Sequence, residues 1–82
     1  METPYERGWK QGHWTAELLR VTQSRSAQAC LDNLEYHYKV EMKRLDTEMY
    51  SDRDGVANHR AYMTGMITHA RQDLLALIRL GY

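Results

Sequence analysis

With 82 residues the chain can build one hydrophobic core and is too short for two. Eleven Lys and Arg balance eleven Asp and Glu, with no basic arm and no acidic tail. Neither the cationic excess of a phosphate-binding surface nor the anionic excess of a nucleic-acid mimic is present. Cys30 is the only cysteine, which excludes an internal disulfide and a paired-thiolate zinc site and points to a reducing cytoplasm.

The first helix signal is Thr3-Pro4-Tyr5-Glu6. Thr3 can cap, Pro4 suits the first helical position, and Glu6 can complete a capping box. Helix 1 is expected over about 4–22. At 100° per residue, Tyr5, Trp9, Gly12, Ala16 and Leu19 share one side, while Trp14, Leu18 and Val21 lie nearly opposite. Gly8 and Gly12 stand inside the helix, where they either allow close packing or weaken its first turns. Charged Glu2, Glu6, Arg7, Lys10 and Glu17 argue against a signal peptide here.

Thr22 to Ser26 favour caps and turns, which sets a boundary; with no Gly or Pro to enforce it, a continuous bent helix is the alternative. Helix 2 is expected over about 26–50, from the stripe Ala27, Leu31, Leu34, Tyr38, Met42, Leu45 and Met49. Ser51 to Gly55 then supplies turn chemistry, with Asp54 or Ser51 as the cap. Helix 3 follows over about 55–80, with Val56, Met63, Ile67, Ala70, Leu74, Leu77 and Ile78 inward and Gly81 closing the helix. Two long helices of equal length joined by a short loop imply an antiparallel pair.

The expected fold is therefore all-α: a small three-helix bundle built on a long antiparallel helical hairpin with a shorter N-terminal helix, forming a single helical domain over residues 1–82. Leu18 and Leu19 should meet the Ala27–Leu34 and Leu74–Leu80 segments at one end of it. No apolar run approaches the roughly 18 residues of a membrane span, so no membrane partner and a cytoplasmic location are expected.

Chemistry is hard to locate. The histidines match neither the paired spacing of a helical metalloprotease nor the Glu-x-x-His pairs of a di-iron bundle, and no glycine-rich phosphate loop occurs. No catalytic group, metal or cofactor is expected. The best constellation for an enzyme is His69 with Asp73 one turn on and Tyr62 upstream, which an 82-residue chain could shield from water only as an oligomer. Cys30 with His37 is a weaker nucleophile–base pair.

Excess apolar surface points instead to a partner. Trp9 and Trp14 lie about 140° apart on a helix, so one should be exposed; Tyr36 and Val40 face away from the stripe of helix 2; Tyr62 and Met66 sit just outside that of helix 3. Trp14, Tyr36, Val40, Tyr62, Met66 and Arg60 are the candidate partner-binding residues, with Arg7, Lys10 and Arg71 as further rim groups. The expected function is a non-enzymatic helical protein–protein interaction module: an adaptor, an assembly subunit or a small inhibitor of a larger complex. Such brief, neutral, motif-free chains occur among accessory proteins of phages and mobile elements, including inhibitors of bacterial defence complexes. Its partner would be another protein or a second copy. The alternatives are a nucleic-acid-associated regulator using Lys39, Lys43 and Arg44, and a small oligomeric enzyme using His69 and Asp73.

Overall fold

The computed structural model describes residues 1–23, 26–47 and 53–82. They form three helices, α1 (Pro4–Gln23), α2 (Ala27–Thr47) and α3 (Arg53–Arg79), with no strand among the described residues. The chain is a small all-α three-helix bundle. None of its described helices is long and apolar enough to cross a membrane.

The helix ends follow from local chemistry. Thr3 Oγ1 accepts the Glu6 amide at 3.1 Å and donates to Glu6 Oε1 at 3.0 Å. The Glu6 carboxylate thus accepts from the Thr3 hydroxyl, where a capping box would have it accept from the Thr3 backbone amide. Ser26 Oγ accepts the Ala29 amide at 3.2 Å and starts α2, so α1 and α2 are separate helices. At the far end Gly81 adopts φ +89°. The Tyr82 amide returns to the Leu77 carbonyl at 3.1 Å and the Gly81 amide to Ile78 at 3.0 Å, the paired bonds of a Schellman motif. Tyr82 O in turn accepts the Ala27 amide at 3.3 Å, joining the end of α3 to the start of α2.

The described parts of the long helices span 21 residues in α2 and 27 in α3, and the expected end of helix 2 near residue 50 lies outside the described residues. One expectation changes, at the start of α3. Asp54 is no cap, because α3 already runs from Arg53 and takes Asp54 and Gly55 into its first turn; an acidic side chain there is favoured by the helix dipole. Ser51, the other cap candidate, and Met49 lie outside the described residues.

Helices α1 and α3 pack most closely, and the reason is a missing Cβ at three places. A Cβ on Gly8 would fall far inside the Tyr62 carbonyl oxygen; one on Gly12 would lie 2.6 Å from Met66 O and 2.9 Å from Ala70 N. From the other side, a Cβ on Gly65 would collide with Tyr5 O and lie 2.9 Å from Trp9 N. Backbone therefore meets backbone. The contacts advance together along both helices, from Tyr5 against Gly65 to Gly12 against Ala70, so α1 runs parallel to α3. Helix α2 is antiparallel to α3: Glu35 pairs with Arg71, Tyr38 with Thr64 and Asp46 with Arg60.

The core gathers where all three helices overlap: Ala16 from α1, Cys30, Leu31 and Leu34 from α2, Ile67, Ala70 and Leu74 from α3. Leu19 packs against it, as expected. Leu18 does not, and is 62% exposed, because adjacent helical residues diverge by 100° and only one of the pair can face inward. The Cys30 thiol is fully buried and donates to Leu19 O at 3.7 Å.

Gly8→Ala should destabilise the protein by more than about 2 kcal/mol, although alanine favours an isolated helix by about 1 kcal/mol. Neither a backbone carbonyl nor a Cβ can rotate away. Gly81→Ala, with open space around it, should cost only about 1 kcal/mol through its positive φ. Urea unfolding of both variants checks the order; equal or reversed losses would contradict the close crossing.

Candidate functional site

The crossing brings together side chains far apart in sequence. His69 leaves α3 beneath Trp9, stacked on its indole at 4.6 Å and 17°. Its Nδ1 bonds the Trp9 backbone carbonyl. A carbonyl only accepts, so Nδ1 carries a proton. Nε2 faces Asp73 Oδ1, 3.7 Å away.

Asp73 is shared. Its Oδ2 lies 3.0 Å from His13 Nδ1, on α1. The other nitrogen of His13, Nε2, lies 3.7 Å from Glu17 Oε2. His13, His69 and Asp73 each present one donor atom within 4.8 Å of the others. Beside them opens a cavity of about 330 Å³ whose polar wall is His13, Glu17, Arg20 and Asp73 and whose apolar wall includes Ala16 and Leu77. The arrangement can pass a proton between carboxylate and imidazole or hold a cation. Among the described residues, the cavity lining holds no Ser, Thr, Cys or Tyr.

On the other side of α1 the surface is apolar. Trp14, Leu18 and Val21 are 66, 62 and 65% exposed, a stripe at i, i+4 and i+7. Trp14 sits edge-on to the His13 ring at 5.8 Å, so stripe and cluster adjoin.

The sequence-derived candidates fall into three groups. Trp14, Tyr36 and Val40 are exposed, the last two on the outer side of α2. Tyr62 and Met66 are half-buried, their backbones facing Gly8 and Gly12 in the crossing. Arg60 is half-buried and paired with Asp46. Of the catalytic candidates, His69 and Asp73 do meet; the cavity wall does not include Tyr62. Cys30 is sealed in the core while His37 stands exposed. In the basic patch, Arg44 is engaged by Glu41, which also lies 3.4 Å from His59; among the described residues Lys39 and Lys43 form no ion pair.

Sequence reasoning missed His13 and Glu17 as companions of Asp73. The Gly8–Gly12 pair was the available signal: two glycines one turn apart mark where a second helix comes close, and His13 follows directly. Set beside protein-family models, curated proteins and solved structures, the chain matches none.

The hydrogen bond from Arg44 holds the Glu41 carboxyl below the ordinary carboxylate range, with its charge and His59 adding to the effect. A lowered folded value means the contact contributes fully above the unfolded-state value and is lost as pH falls through the folded one. Arg44→Ala should move the Glu41 titration up toward the ordinary value in carboxyl-detected NMR. An unmoved titration would show that Arg44 is not the cause.

Proposed function

We propose that this chain is a non-enzymatic helical interaction module of the cytoplasm that docks a protein through the outer face of α1. The observation that carries the proposal is the Trp14–Leu18–Val21 stripe. Three large apolar side chains, each more than 60% exposed and one turn apart, make the pattern by which a helix anchors in a groove or against another helix. Trp is also the residue most enriched among interface hot spots.

The dimensions support it. A compact monomer of 9.7 kDa exposes about 5,100 Å² by the usual surface scaling, whereas this chain exposes 5856 Å². The difference, roughly 700 Å², is close to the ~800 Å² that each partner gives to a standard interface. The radius of gyration, 13.7 Å, likewise exceeds the ~11.7 Å of a compact 82-residue domain. The simplest occupant is a second copy, which would set the same stripe against itself across a two-fold axis. A larger protein with an apolar groove is the other, and then the chain acts as an adaptor or a small inhibitor by occupying that surface.

Trp14→Ala combined with Leu18→Ala should weaken association at least tenfold in sedimentation equilibrium, or abolish capture of the host partner where the wild type is monomeric. Exposed positions cost little stability, so the melting temperature should shift by less than about 4 °C. Loss of the helical fold in the double variant would make the stripe structural, and unchanged association together with unchanged capture would end the proposal.

A further inference from the structure

We infer that His13, His69 and Asp73 form a site for a divalent transition metal, with zinc as the best fit, spanning the α1–α3 crossing. Two imidazoles and a carboxylate are a donor set that zinc takes readily, and three protein ligands leave a fourth position for water. The fourth position here faces the cavity on which His13 and Asp73 open.

Geometry and tautomers agree on which atoms bind. Tetrahedral bonds of about 2.0–2.1 Å place ligand atoms about 3.4 Å apart. Asp73 Oδ2 stands 3.0 Å from His13 Nδ1 and its Oδ1 3.7 Å from His69 Nε2, and one ligand atom from each residue lies within 4.8 Å of the others. His13 is exposed, so its ring has room to adjust to an ion. His69 is already oriented: the Trp9 carbonyl accepts a hydrogen bond from its Nδ1–H, the indole stack fixes its plane, and Nε2 lies on the Asp73 side. For His13 to bind through Nδ1, its proton moves to Nε2, where Glu17 Oε2 stands 3.7 Å away to receive the N–H. Each imidazole then has the outer acceptor that metal-bound histidines keep, a backbone carbonyl for one and a carboxylate for the other.

Charge is compatible. Asp73 and Glu17 bring two negative charges to the site and Arg20 on the cavity wall one positive charge that opposes a cation. The nitrogen ligands select against magnesium and calcium, which require oxygen. Because the ligands come from helices 60 residues apart in sequence, a bound ion clamps α1 to α3 and stabilises the folded state by linkage.

Titration calorimetry of the full chain with zinc chloride, with magnesium chloride as the control, tests the site. The expected result is saturable 1:1 zinc binding in the micromolar range, no magnesium binding, and zinc-dependent shifts of the His13 and His69 ring signals in NMR. His13→Ala and Asp73→Asn should each weaken zinc at least tenfold, and Glu17→Gln several-fold; His37→Ala and His59→Ala should change nothing. Since His13 is exposed, its variant should keep the wild-type circular dichroism, so a loss of binding is not a loss of fold. Absence of saturable zinc binding below about 1 mM, or wild-type affinity in both His13→Ala and Asp73→Asn, would reduce the cluster to a hydrogen-bonded pair and overturn the inference.

Discussion

Backbone contact between α1 and α3, at Gly8 and Gly12 on one helix and Gly65 on the other, is the constraint on which the other features rest. Ordinary helix pairs are held 8–10 Å apart by side chains that interlock between them. Here three positions have no side chain, and carbonyl oxygens and amides of one helix lie directly against the other. Such proximity increases dispersion contacts and permits weak Cα–H···O bonds, but it fixes the register. One added carbon displaces the helix. Glycine's unfavourable helix propensity, about 1 kcal/mol at each site, is offset by the packing that its absent Cβ allows.

That register accounts for both surface features. It sets His13 opposite Asp73 and the Trp9 carbonyl over His69, assembling a polar cluster from two helices that do not adjoin in sequence. It also turns the inner side of α1 wholly toward α3, which leaves Trp14, Leu18 and Val21 facing out. A conventional bundle would bury part of that stripe against α2. Here α2 lies against α3 along its own length and touches α1 mainly where Cys30 meets Leu19, so the outer faces of α1 and α2 are both free.

Much of the fold was legible from the chain alone, because helix starts and stops depend on neighbours in sequence. Thr3-Pro4, Ser26 and Gly81 are local signals, and α1, α2 and α3 follow them closely. Trp14 was legible as a surface residue for a similar reason, since its angle from Trp9 is set by helix geometry. The turn before α3 was misread: Asp54 and Gly55 have turn chemistry but are also tolerated in a first helical turn. The partner of Gly8 and Gly12 could not be read, because nothing nearby in sequence specifies that the stretch of α3 from Tyr62 to Ala70 approaches them. His13 was hidden for the same reason. Its companion Asp73 is 60 residues away, and only the crossing makes them neighbours.

The crossing itself is most directly tested by nuclear Overhauser contacts in the wild-type protein. If α1 and α3 meet backbone to backbone, the Gly12 Hα protons should show strong contacts to the His69 Hβ protons and the Ala70 amide, and the Gly65 Hα protons to the Trp9 amide. Helices separated by a normal layer of side chains would give none of these, and their absence would contradict the account.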